Sequence, residues 1–329
     1  MQHKRPTLDD VALAAGVSRA TVSRVVNGNA RVAAAVREQV TRAVEQLGYR
    51  PDPTARALAR GHGDVVELIV VDGQPTSFGT NPYYGRVVAG VVDGLRHTDA
   101  QMRVHVVGLG DAPRLLDRVA HTVSAGALLV NVPAGLAADF HAVCPRVVSM
   151  GRTAVPVPSV VPDNTRGAVE AVHLLHRNGR KRIAAVPGPA HINDAIDRRA
   201  GYLAAVRDLG LDPITGEDGE FTRHSGAETT RRLLQEHPDL DALFVACDLM
   251  ASGALQALAA AGRRVPRDVA VVAFDDSLIA ACTTPPLTSV RQPVEEMAAA
   301  ATRALVAGEV GPGWHGTFPT TLTVRDSSG

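Results

Sequence analysis

The sequence predicts an all-α helix-turn-helix headpiece with a short following helix, then a larger α/β body of two parallel-sheet subdomains. Three observations lead there. Apolar residues between 7 and 47 recur at helical spacing and are punctuated by Gly16 and Gly48. From residue 64 onward, β-branched apolar runs alternate with helical stretches, and the series restarts at "RIAAVPG". Charge is split unevenly: residues 1–62 hold 10 Lys/Arg against 5 Asp/Glu, and the rest of the 329-residue chain holds 24 against 29. A basic head on an acidic body points to a polyanionic partner for the head.

The first helix opens at "TLDDVALAAG". Thr7 can cap it, with Asp10 as the reciprocal partner three residues on. Leu8, Val11, Ala12 and Ala15 then share one face, and Gly16 ends the helix. Val17 is expected to tuck between helices. Ser18 caps a second helix whose buried face is Val22, Val25 and Val26. In a third helix Val36, Val40, Val44 and Leu47 should face inward, with Gly48 as the stop.

Two short helices joined by a tight glycine turn make a helix-turn-helix unit. In such a unit the second helix lies in the major groove and its amino-terminal residues reach base edges. Here those are Arg19 and Ala20, with Arg24 one turn on. Arginine reads guanine through O6 and N7, whereas Ala20 offers only an apolar contact, as to a thymine methyl. Ser18, Thr21, Ser23 and Asn27 suit phosphate contacts, which position without specifying. Thr7 and Leu8 complete the DNA-facing set. The alternative on spacing alone is a plain three-helix module with a solvated basic face.

Pro51 blocks continuation of the third helix, and Asp52-Pro53 reads as a cap and first-turn proline. "TARALA" is helix-forming but too short to hold a helix alone in water. It is either linker or a helix that folds on binding. In the body, "VVELIVVD", "RVHVVGLG", "GALLVNV" and "RVVSMG" are strand-like, as are "RIAAVPG", "ALFVACD" and "VAVVAFDD". Such alternation with helices means parallel sheets covered on both faces. Pro285-Pro286 forbids helix, a helix runs from Val294 to Leu305, and "FPTTLTVRDSSG" reads as a final strand.

The stretches "TLDDVALAAGVSRATVSRVVNG" and "AVEQLGYRPDPTARALA", with "VVAFDDS" and "PPLT" further on, resemble the lactose-repressor (LacI/GalR) family of bacterial transcription regulators across essentially the whole chain. The resemblance implies a headpiece at 1–50, a hinge helix and linker at 51–63 and an effector-binding, dimerising body at 64–329. That body is periplasmic-binding-protein-like, with subdomain one at about 64–161 plus 291–317 and subdomain two at about 162–290 plus 318–329. It also implies a leucine wedge at the central minor-groove step, here Leu58 with Ala55 beside it. Family members often place Ser or Thr where Ala33 stands, so a cap worth about 1 kcal/mol is absent.

Effector positions follow from the same resemblance: Arg198, Phe221, Asp275 and Tyr84 (in preference to Tyr83), Asp163 and Asn164 near the crossover, and Asn193 and Asp194 above the cleft. Cys247 stands where the lactose repressor has asparagine, which removes a strong hydrogen-bonding group. An arginine fork with acids and aromatic faces suits a polar, ring-bearing ligand, a sugar or sugar derivative. Asp248 and Asp276 are expected to act structurally at helix starts. The lactose repressor's heptad tail has no counterpart, so a homodimer on double-stranded operator DNA is the expected form.

Other classes are disfavoured. Aromatics make up 3% of residues, too few for a stacking platform on single strands. Cys144, Cys247 and Cys282 form no metal or disulfide pattern. His173 and His176 sit one helical turn apart without a further ligand, and no metal or cofactor is expected. No Walker loop, G-x-S-x-G, H-E-x-x-H or strand-linked G-x-G-x-x-G is present, which argues against an enzyme. A solute-binding protein would need a signal peptide and no headpiece. The expectation is a cytoplasmic, nucleoid-associated regulator with no membrane contact, most simply a repressor released by its effector. A co-repressor mode through the same site is the alternative.

Overall fold

A computed structural model describes residues 6–26, 32–49, 65–153 and 157–329 of the chain. It divides into two compact units, residues 1–64 and 65–329.

The first unit holds α1 (Leu8–Ala15), α2 (Arg19–Val26) and α3 (Ala34–Leu47). Thr7 and Asp10 form the reciprocal cap: the Asp10 amide donates to the Thr7 hydroxyl at 3.3 Å, and the Thr7 amide donates to the Asp10 carboxylate at 2.7 Å. Gly16 and Gly48 close α1 and α3 with φ of 63° and 62°, a conformation that costs glycine nothing. Val11, Val22, Val40 and Ala43 form the small core, with Val17, Val25, Val26 and Val44 against it. Leu47 corrects the inward stripe expected for α3: it lies in the last turn and is 38% exposed. The buried stripe runs through Val40 and Ala43 instead. No side chain caps α3 at Ala33. Asn27 and the hinge positions Ala55 and Leu58 lie outside the described residues.

The second unit is built on two six-stranded sheets. Sheet one holds β1 (Val65–Val71), β2 (Gln101–Val107), β3 (Gly126–Val130), β4 (Val147–Met150), β5 (Ser159–Pro162) and β11 (His315–Phe318) in the order β11-β5-β4-β3-β1-β2. All its neighbours pair in parallel. Sheet two holds β6 (Ile183–Val186), β7 (Ile214–Thr215), β8 (Ala242–Val245), β9 (Ala270–Asp275), β10 (Thr288–Arg291) and β12 (Thr321–Thr323) in the order β12-β10-β9-β8-β6-β7. Only its edge pair, β10 with β12, is antiparallel.

Helices cover both faces of each sheet. Around sheet one lie α4 (Pro82–Gly94), α5 (Ala112–Ala120), α6 (Ala134–Val143) and α12 (Val294–Ala307). Around sheet two lie α7 (Asn164–Arg177), α8 (Asn193–Asp208), α9 (Arg223–Glu236), α10 (Asp248–Ala260) and the short α11 (Leu278–Cys282). In β1, Val66, Leu68 and Val70 pack with α4 and α12, while Ile69 and Val71 pack with α5 and α6. Burial on both faces explains why the strands read as unbroken apolar runs.

The chain passes between the sheets three times: after β5, after β10, and between β11 and β12. The terminal run from Phe318 holds the final strand β12, which is only three residues long and lies beside β10. β11, beside β5, ends at Phe318, and Pro319 has no N–H to continue its ladder.

Candidate functional site

Helix α2 presents its polar face as the sequence orders it. The Ser18 hydroxyl accepts from the Thr21 amide at 3.1 Å and meets the Thr21 hydroxyl at 2.8 Å, so Ser18 is the helix cap. Arg19, Ala20 and Arg24 are exposed, and Thr21 and Ser23 are half-buried. Arg19 rests 3.6 Å from Asp9, an exposed ion pair weak enough to exchange for another acceptor. Thr7 is engaged in its cap and Leu8 packs on the three-helix core.

The second site sits where both sheets reverse their winding. β1 is flanked by β2 and β3, and β6 by β7 and β8, so each sheet has its topological switch point there. Ligands of doubly wound sheets bind beyond the carboxyl ends of such strands. Asn131 follows β3, Cys247 follows β8, and Asp275 ends β9. Together with Tyr83, Asp194, Arg198 and Phe221 they line a cavity of about 390 Å³.

Arg198 organises this cavity. Its Nε donates to Asn164 at 2.9 Å, and Nη1 donates to the Ala246 carbonyl at 2.6 Å and to Asp275 at 3.4 Å. The guanidinium lies 3.9 Å from the centroid of the Phe274 ring, and the residue is 4% exposed. Gln292 donates to the same Asp275 oxygen at 2.5 Å. Burial pushes the Asp275 carboxyl above the usual carboxylate range, against the pull of Arg198 and Arg86. Burial likewise pushes Asp194 up to about 6, although Arg198 opposes it and Asn164 donates to it at 3.1 Å. The Tyr83 phenol is raised by burial and then by Asp194, so it stays a neutral donor. Burial also raises the Cys247 thiol, whose sulfur accepts from the Met250 amide as the cap of α10. A protonated, buried thiol of this kind is unreactive.

Backbone strain gathers at the same place. Among the described residues, five non-glycine positions have positive φ. Three of them, Asn131 (54°), Phe221 (53°) and Asp275 (110°), line this one cavity. Strain of that kind persists only where surrounding contacts hold it, and it clusters at ligand sites.

Two neighbouring recesses share Asn131 and Ile192 with it, one of about 670 Å³ and one of about 290 Å³. Phe221 also lines the larger, and Asn193 and Asp194 line the smaller. Asn193 donates across to the Arg152 carbonyl at 2.5 Å.

Two expected positions are corrected. Tyr83, not Tyr84, stands with Arg198 and Asp275. Tyr84 is 2% exposed, its hydroxyl donates to Asp72 and accepts from Asn131, and it touches only the larger recess. Asp163 lines none of the three cavities; its carboxylate caps α7 by accepting from the Arg166 amide at 3.1 Å. Asn164, expected beside it, does reach the site, bridging Arg198 and Asp194. Asn131, Gln292 and Arg86 escaped the sequence reading. Only Asn131, a lone amide closing an apolar strand, left a visible signal. Arg86 donates to the carbonyls of Asp275 and Gln292 at 2.8 Å each and pairs with Glu295, tying α4 to the crossover.

Asp248 is buried and accepts from the Ser277 amide and hydroxyl and the Ser289 hydroxyl, which anchors the turn after Asp275. Among the described residues no helix is long and apolar enough to cross a membrane.

Residues 7–52 match the family model described as bacterial regulatory proteins, lacI family, and residues 172–328 match a periplasmic binding protein-like domain. The chain is 38% identical to the HTH-type transcriptional regulator CelR of Thermobifida fusca, over 99% of both chains. Among solved structures, a CelR–cellobiose complex matches with a TM-score of 0.74 and 36% identity, covering 98% of this chain and 100% of the other. The lac repressor dimer bound to operator and the anti-inducer ONPF matches with a TM-score of 0.81 and 27% identity, covering 99% of each.

Proposed function

Since the chain belongs to the LacI family and is a DNA-binding transcriptional regulator, not an enzyme, we propose that it is a repressor released from a pseudo-palindromic operator by a saccharide effector. The observation that carries the effector reading is the Arg198–Asp275 pair, strained and desolvated at the switch point of two sheets. In this reading Arg198 orients ring hydroxyls, Asp275 and Asp194 accept from them, and Tyr83 donates. Phe221 supplies an apolar face, and Cys247, Asn193 and the edge of Tyr84 bound the recesses. The central cavity and the larger recess adjoin through Asn81, Asn131, Ile192 and Phe221, an arrangement in keeping with a ligand of more than one ring, and the solved relative holds cellobiose.

On DNA, Arg19 and Ala20 read bases, with Arg24 one turn on. Thr7, Ser18, Thr21, Ser23 and Asn27 hold phosphates around them, and Leu8 braces the end of α1. Leu58, with Ala55 beside it, acts as the wedge at the central minor-groove step, where the two hinge segments pair. A dimer places two headpieces in successive major grooves. The exposed Val92 of α4 (58%) and Val104 of the open edge strand β2 (38%) supply an apolar face for pairing. Effector binding shifts the population only as far as it prefers the released state. The protein acts on the nucleoid, in the cytoplasm.

The test is selection of bound duplexes from a randomised pool, followed by titration of the selected duplex with neutral disaccharides. A two-fold-symmetric site and release on adding one sugar are expected. Tighter binding on adding sugar would establish a co-repressor, and absence of any preferred duplex would refute sequence-specific control.

A further inference from the structure

We propose that Asp194 makes the cleft a charge filter, admitting uncharged saccharides and rejecting phosphorylated or carboxylated ones. The inference rests on the effector reading above and specifies its ligand class.

The charged side chains lining the central cavity are Asp194, Arg198 and Asp275, two acids against one base. Arg198 is largely committed: its Nε and Nη1 donate to Asn164, the Ala246 carbonyl and Asp275, its face lies on Phe274, and Nη2 is left for a sugar hydroxyl. The other two nearby guanidinium groups are committed as well. Arg152 forms a bidentate pair with Asp197 at 2.8 and 3.1 Å, and Arg86 is held by Glu295 and two carbonyls. An incoming phosphate therefore meets two carboxylates against one guanidinium whose charge is already paired with Asp275.

Helix α8 is the one feature with the opposite tendency. It starts at Asn193 without a side-chain cap, and its cap residue Ile192 borders all three cavities. Such an amide end attracts anions. Asp194 stands in that first turn and supplies the negative charge from within the chain. Its carboxylate takes one hydrogen bond from Asn164 and keeps acceptor capacity for sugar hydroxyls.

The charge is sustained at neutral pH. Asp194 titrates near 6, between Arg198 and Arg152 on one side and Asp197, Asp275 and Tyr83 on the other, with His191 on the rim of the smaller recess. A unit charge at about 6 Å, at an effective dielectric near 20, changes affinity on the order of 100-fold.

The experiment is calorimetric titration of the full-length protein with cellobiose and other neutral disaccharides, and with cellobiose 6-phosphate. It is repeated with Asp194→Asn and with Asp194→Ala, each checked for folding by thermal unfolding. If no neutral disaccharide binds the unaltered protein, the effector reading itself fails. If one binds, its phosphorylated form is expected to bind at least tenfold more weakly at pH 7.5, and Asp194→Asn should close most of that gap. Affinity of the unaltered protein for the neutral sugar should fall as pH drops through about 6, while Asp194→Asn stays flat. Equal affinity for neutral and phosphorylated sugars, or a gap unchanged in both variants, overturns the charge filter and leaves the effector reading standing.

Discussion

Single residues decide chemistry at both sites. Arg19→Ala should relax base preference at one position per half-site and cost about 1–3 kcal/mol of operator affinity; an unchanged preference in duplex selection would remove Arg19 from base reading. Arg198→Met should abolish saccharide binding and, by leaving Asp275 and Asn164 without their buried partner, destabilise the body by roughly 3–5 kcal/mol in denaturant unfolding. Asp194 gives a stability effect of opposite sign. Its folded value near 6 lies above the unfolded 3.8, so the native state keeps a proton that the unfolded chain has released. Stability therefore declines as pH rises from about 4 to about 6 and stays lower above. Asp194→Asn should raise the stability of the ligand-free protein at pH 7–8 by roughly 1–2 kcal/mol, discounted for partial exposure. The gain should vanish below pH 4.

At the scale of elements, caps and close approaches carry the predictions. Helix α3 starts at Ala33 with no side-chain acceptor, and Ala33→Ser should stabilise the headpiece by about 1 kcal/mol, read as slower amide exchange in α3. Helices α9 and α10 touch backbone to backbone: a Cβ at Gly253 would collide with the Arg223 carbonyl, and one at Gly226 with Met250. Gly253→Ala should cost about 1–3 kcal/mol in thermal unfolding by forcing the two helices apart. Legibility at this scale followed the apolar run around an element. The caps at Thr7 and Ser18 are local and could be read directly. So could the strands set in longer apolar runs, including the four-residue β4, β6 and β8. β5 and β10 mix polar residues or proline into four positions and β7 is two residues long, so they do not stand out from loops. Leu47 was misread because burial at an element's end depends on what lies against it.

The whole molecule couples two sheets through three crossings, so anything that re-orients one sheet must bend the chain at β5, β10 and β11. Arg86 and Gln292 sit at the second crossing and touch Asp275, which places the proposed ligand contact and the crossing in one hydrogen-bonded unit. In the proposed scheme, linkage requires that the factor by which sugar weakens operator binding equal the factor by which operator weakens sugar binding. Paired titrations that disagree would mean the two ligands are not linked through one equilibrium. Val92→Asp should shift the protein towards monomer in sedimentation and lower operator affinity while leaving sugar affinity unchanged.

The sequence by itself determined the three headpiece helices, the face of α2 that carries Arg19 and Arg24, and the alternation that makes a doubly wound body. Each of these is written in local periodicity and local hydrogen bonding. Only the tertiary structure decided the cleft. Asn164, Arg198, Asp275 and Gln292 are separated by up to 128 positions in the chain yet share one network. Whether Tyr83 or its neighbour Tyr84 faces that network depends on how α4 lies on its sheet. The burial that lifts Asp194 and Asp275 arises from atoms on several elements at once, and no window of sequence contains them.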